Sequence, residues 1–249
     1  MTRFLAFDIE TAKIVTDEST DLLASRPLGI ACAVAQASDM AQPRVWHGLD
    51  AAGRPSGQMS QAESAAMVAE LEQFVVRGYT IVTWNGAAFD FNVIAEEAAL
   101  TDRTARLAAD HVDMIFHAVC ALGHYVSLQK AAEGMELKGK TEGMSGALAP
   151  KMWAEGRHQE VIEYCTQDVR TTLALAEAAE RKKKLVWITQ RGTPRSLALP
   201  DGWLSVHDAN LLPPPDTSWM SNPPDRHQLL GWIPPGILSP PAGETGRLF

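Results

Sequence analysis

The stretch Arg3-Phe4-Leu5-Ala6-Phe7-Asp8-Ile9-Glu10-Thr11 constrains this chain most. Bulky and small apolar residues run over a strand length and lead, with no turn residue between, into two carboxylates one residue apart. Side chains on a strand alternate faces, so Asp8 and Glu10 point to one side, and two hard oxygen ligands stand together as a divalent cation needs. A solvated strand end running into a turn is the bland explanation of the same residues. What separates the two is whether the rest of the chain brings further ligands.

The 249 residues are 46% hydrophobic and 21% charged, enough for one large globular domain or one domain with an extension. No run reaches the roughly 20 apolar residues of a membrane span, and Asp8 interrupts any signal-peptide core, so a cytoplasmic protein is expected. Cys32, Cys120 and Cys165 are odd in number and lie in apolar surroundings, which predicts reduced, buried thiols and argues against disulfides and zinc. A net charge of −8 argues against grip on nucleic acid through a broad basic surface, but leaves brief contact with a phosphate at a metal-loaded acidic site.

Further strands are expected at 27–36 and 43–48, in an antiparallel run with the first, then at 79–84, with a fifth at 110–115. Ser60 with Glu63 signs a helix start, followed by Met67, Leu71, Phe74 and Val75 on one stripe and ended at Gly78. The strand at 79–84 runs straight into Asn85-Gly86. Asp90 then falls in the first turn of a helix over 89–100, where helix capping alone would account for a carboxylate. Short helical pieces come next, then a serine-capped helix at 127–134 and a glycine-interrupted loop at 134–146 carrying Lys138 and Lys140.

A long helix is expected over 157–184, with Ile162, Cys165, Val169, Leu173 and Ala176 as its buried stripe. Tyr164 and Asp168, four apart, share another face. Residues 192–249 hold 11 of the 15 prolines and three of the seven tryptophans, so the chain divides into a domain at 1–190 and a Pro/Trp-rich arm at 191–249. The arm is expected to be neither helical nor sheet, and to be pinned by its tryptophans to the domain or to a partner subunit, which would make a homo-oligomer.

Phe7-Asp8-Ile9-Glu10-Thr11, Trp84-Asn85-Gly86-x-x-Phe89-Asp90 and Tyr164-x-x-x-Asp168, in that order, resemble the three motifs of the DEDD superfamily of 3′-to-5′ exonucleases. Tyrosine four residues before the last Asp matches its DEDDy branch. The resemblance covers about residues 1–185 and implies an α/β ribonuclease H-like fold, a five-stranded mixed sheet flanked by helices, with the arm as an extension. It implies metal-dependent removal of nucleoside monophosphates from single-stranded DNA or RNA 3′ ends, with two Mg²⁺ or Mn²⁺ ions. Asp8 would bridge both ions, Glu10 and Asp168 would complete the site near the attacking water, Asp90 would hold the second ion, and Tyr164 would orient the water. The backbone around Ile9 and Thr11 would receive the terminal sugar. Asn85 would meet the terminal nucleotide or serve only a tight loop, and Lys140 would reach a phosphate or only solvent. Two rival readings keep the same residues: a silent module that binds nucleic acid or protein, and an endonuclease or small-nucleotide phosphodiesterase.

Overall fold

A computed structural model describes residues 2–16, 21–137 and 146–238. Five strands form one sheet: β1 (Phe4–Thr11), β2 (Ile30–Gln36), β3 (Arg44–His47), β4 (Thr80–Thr83) and β5 (Val112–Asp113), in the order β3-β2-β1-β4-β5. β1 pairs antiparallel with β2 and parallel with β4, so the sheet is mixed and the acid-bearing strand is central. β2 is buried along its whole length, which is why it reads as an unbroken apolar run.

The sheet lies between two helical layers, and β1 divides its side chains between them. Leu5, Phe7 and Ile9 enter the core shared with α1 (Gln61–Val76), α2 (Asp90–Glu97) and α3 (Thr101–Asp110). Phe4 and Ala6 enter the opposite core, built on α5 (Leu128–Gly134), α6 (Ala149–Ala154) and α7 (His158–Lys182). Period two therefore sends Asp8 and Glu10 to the α7 side.

α1 begins with the expected capping box: Glu63 N–H donates to Ser60 Oγ, and Glu63 accepts from the Ser60 N–H. Its stripe is shifted, because Val68 is buried while Val75 is 41% exposed. The strand expected at 110–115 is only two residues long. It gives way at once to α4 (Met114–Leu122), a helix apolar on nearly all sides and buried accordingly. All three cysteines are free and buried.

The helix expected at 157–184 stops at Lys182, and Lys183 turns the chain in the left-handed conformation at φ 53°. Residues 184–198 then form an antiparallel hairpin, β6 (Lys184–Ile188) and β7 (Pro194–Ala198), held by burial of Leu185 and Trp187 in the α7-side core. The boundary at 190 falls in the turn of this hairpin. Downstream lie short helices α8 (Val206–Asn210), α9 (Arg226–Leu229) and α10 (Pro235–Leu238). Val206, Ala209, Leu230 and Ile233 enter the α1-side core, so sheet and helix both occur where neither was expected. Of the arm's tryptophans, Trp203 donates to the Ala176 carbonyl and Trp232 to the Ala87 carbonyl, while Trp219 is 67% exposed.

Candidate active site

The three parallel strands end on the same side of the sheet, and each delivers acid at or just beyond its carboxyl end: Asp8 and Glu10 on β1, Asp90 after β4, Asp113 on β5. Crevices at the carboxyl ends of parallel strands are where α/β folds place ligands. The opening has a local cause. Pairing of β1 with β4 stops at Ala6↔Val82, so the ladder no longer reaches Ile9 from that side. Asp90 takes over, its Oδ1 accepting from Ile9 N–H at 3.1 Å. The carboxylate thus reaches across 81 residues instead of only closing its own helix, whose N-cap Phe89 makes no side-chain bond. Asp8 is within hydrogen-bonding reach of Asp90 as well.

Asp90 is buried, and that burial pushes its carboxyl up to about 7, with Asp113 nearby adding to the effect. A bound cation would favour the ionised form, so its uptake would be coupled to proton release here.

Cys165 donates its S–H to the Asp8 carbonyl at 3.6 Å and lies 3.8 Å from Asp8 Oδ2. Ligand atoms of Asp8, Glu10 and Cys165 lie within 4.8 Å of one another. Burial pushes the Cys165 thiol well up, with Cys32 and the Asp8 and Glu10 charges adding to it, so at neutral pH it stays a thiol and a poor ligand. The donors left are carboxylate oxygens, which suit a hard cation such as Mg²⁺ or Mn²⁺.

Cys165 also fixes the register of α7 against β1. Tyr164 is its neighbour and Asp168 lies three residues on; both are buried, at 5% and 7% exposure, where a face opposite the buried stripe was expected. Tyr164 lines a cleft with Val45, His47, Gln167 and Arg170. The structure therefore brings Asp8 together with Glu10 on one side and with Asp90 on the other, and sets Tyr164 and Asp168 on the helix that touches Asp8.

The substrate-facing expectations divide. Ile9 commits its N–H to Asp90 and its side chain to the core, so it has no free donor for a sugar; Thr11 is buried at 6% exposure. Asn85 adopts φ 78° and its N–H donates to Asp113, which is the tight-loop role, while the residue also lines a cleft. Lys138 and Lys140 lie outside the described residues. Gly146 lies close to the acid pair, since an added Cβ there would stand 4.0 Å from Glu10 Oε2.

The sequence did not point to Asp113 as a site residue, nor to what Trp232 meets. Asp113 accepts four backbone N–H groups: Asn85, Ile115 and Phe116 on Oδ1 and Ala87 on Oδ2, all at 2.9–3.1 Å. It caps α4 and holds the loop that leads to Asp90. Trp232 holds the same loop from outside, through the Ala87 carbonyl at 2.8 Å. An acid between a strand and an apolar run was the only signal for Asp113; Trp232 was expected to pin the arm, but its partner at Ala87 had no signal.

A third restraint on this loop is a polar chain. Gly86 N–H donates to Thr83 Oγ1, the Thr83 hydroxyl meets His111 Nε2 at 2.9 Å, and His111 Nδ1 meets the Ala108 carbonyl at 2.7 Å. The carbonyl can only accept, so Nδ1 carries the proton and Nε2 accepts from Thr83. Gly86 has no substitute here, since a Cβ would stand 2.4 Å from Thr83 Oγ1. Burial lowers the His111 pKa to about 4. The unfolded imidazole, near 6.5, binds its proton first, so His111 costs stability as pH falls from 6.5 to 4, up to about 3 kcal/mol. Buried His117, also lowered to about 4, acts in the same direction, whereas Asp90 and Asp113, pushed up by burial, act in the opposite one. Unfolding in urea across that window is expected to show a shallower acid loss in His111→Gln than in the wild type; equal slopes would refute the neutral, buried imidazole.

The model of the RNase_H superfamily matches residues 54–180, just over half of the chain. The chain belongs to the RNase_H superfamily. That membership supports nuclease chemistry in general. Among solved structures, the family B DNA polymerase from the hyperthermophilic archaeon Pyrobaculum calidifontis is similar, with 20% identity and a TM-score of 0.52. The likeness covers 72% of this chain and 24% of the polymerase, and at that identity it speaks for the fold alone. A search of curated proteins finds no match in sequence.

Proposed function

We propose that the protein is a metal-dependent 3′-to-5′ exonuclease of the DEDDy type, releasing nucleoside monophosphates from single-stranded ends. The observation that carries this reading is the convergence of Asp8, Glu10 and Asp90 at the carboxyl end of the central strand, with α7 registered on Asp8 by Cys165. Asp8, Glu10, Asp90 and Asp168 would hold two Mg²⁺ or Mn²⁺ ions, which supply activation of water and neutralisation of charge on the attacked phosphate.

In this reading a water oxygen bonds to phosphorus, the bond to the preceding 3′ oxygen breaks, and that oxygen leaves as a hydroxyl. Tyr164 orients the water, and placement is its contribution, since phenols as a class are poor bases at neutral pH. The acid pair on β1 fixes where the phosphate stands, because both carboxylates ride on a buried central strand. The similar structure is a DNA polymerase, so DNA is the first substrate to assay.

The test is a 5′-labelled oligonucleotide incubated with Mg²⁺ or Mn²⁺. A descending ladder is expected, and Tyr164→Phe should slow it roughly ten- to a hundredfold, as misplacement of a reacting group does. A few discrete internal fragments would replace the exonuclease with an endonuclease. No metal-dependent cleavage of any nucleic acid would sink both.

A further inference from the structure

The arm meets the Asn85 loop at more than one point. Beyond the Trp232–Ala87 bond, residues 228–232 form one side of an open groove of about 1000 Å³, and Asn85, Phe89 and Asn92 form part of the other. Those last three bracket Asp90 in the chain, so the groove lies against the loop and helix start that carry this acid. Aromatic surface lines it on both sides: Trp84, Phe89 and Tyr125 from the domain, Trp232 from the arm. Tyr125 is 52% exposed, so much of its ring is open to the groove. Charge is nearly balanced, with Arg26 against Asp21, and Arg26 is steadied by Asn92 at 2.9 Å and by the Leu23 carbonyl.

Resting on the nuclease reading, we propose that the arm's segment 228–232 is the outer wall of a groove that holds the unpaired nucleotides entering the site, with Trp232 as the residue that positions this wall. Rings on two sides with a single cation suit bases with free faces. A duplex keeps its bases stacked inward and offers mainly phosphates, for which a groove this close to neutral in a chain of net charge −8 has little attraction. Stacking is also tolerant of sequence, so the groove selects strandedness and not base identity. The wall is supplied by the part of the chain that lies beyond residue 180, where the family match ends. The superfamily core thus gains its single-strand side from an extension.

The experiment measures KM and kcat on a twelve-nucleotide oligo(dT) and on a blunt duplex of the same length, for the full chain and for Tyr125→Ala, Arg26→Gln, Trp232→Ala and Trp232→Phe. Tyr125 and Arg26 are exposed, so their loss leaves the fold intact. Expected is a rise in KM of about fivefold or more on the single strand for Tyr125→Ala and Trp232→Ala, and a smaller one for Arg26→Gln, with kcat within twofold for the two exposed positions. Trp232→Phe keeps a ring without the N–H and should recover part of the loss. Unchanged KM in Tyr125→Ala and Trp232→Ala overturns the groove while leaving the nuclease reading standing. If the wild type cleaves nothing, fluorescence anisotropy of labelled oligo(dT) decides: binding weakened by Tyr125→Ala supports the groove although the nuclease reading has failed, and no binding by the wild type overturns both.

Discussion

Asp8→Ala is expected to remove metal-dependent cleavage to below about one part in a thousand of the wild-type rate. A cation contributes several kcal/mol of charge stabilisation in such a reaction, and about 4 kcal/mol is a thousandfold. In the proposed site Asp8 would stand where that contribution is concentrated: on the central strand, beside Glu10, and within reach of Asp90. Its side chain is only partly buried, so truncation leaves a small gap at a strand end and not a hole in the core. Circular dichroism and the urea midpoint should therefore stay close to wild type while the ladder assay goes blank. A fully active Asp8→Ala protein would show that the site is elsewhere.

Asp113→Ala is expected to be the costliest substitution for stability among the residues around the site. Four backbone N–H groups lose their acceptor, three of them buried, and the loss should be about 3 kcal/mol or more, read from urea unfolding. Asp113→Asn separates the two sides of the carboxylate. Its amide oxygen can still serve Asn85, Ile115 and Phe116, but its NH₂ would face the Ala87 N–H, donor against donor. The α4 cap should survive and the Ala87 end of the loop should come loose, so that kcat falls by more than the modest change in stability suggests. Wild-type stability in Asp113→Ala would refute the role given to it.

These residues also show how far the sequence could be read. The acids of β1, the Asn85-Gly86 turn, Asp90 and the Tyr164/Asp168 pair carry local signatures, and the alternation of Phe4, Ala6, Asp8 and Glu10 already contains the side of the sheet on which the acids emerge. Asp113 carries none, because its partners are backbone N–H groups, which look alike in every residue. The helix at 114–122 was hidden since a helix buried all round shows no 3.6-residue period. The hairpin at 184–198 was hidden by three lysines that suit a helix end and by the prolines beyond them. The arm's tryptophans read as anchors, but that Trp232 holds the loop before Asp90 is visible only once its carbonyl partner, 145 residues earlier in the chain, is known.

The strict division of β1 between two cores makes parity the most guarded count in this molecule. A residue inserted or deleted between Phe4 and Asp8 would exchange the two faces, sending both carboxylates among Met67, Leu71 and Phe91 and turning phenylalanine toward α7. The connection from β3 to α1, at residues 48–60, can lengthen or shorten with no such exchange. Relatives descended from a common ancestor should therefore differ freely in the length of that connection, while the spacing from Phe4 to Glu10 stays at six.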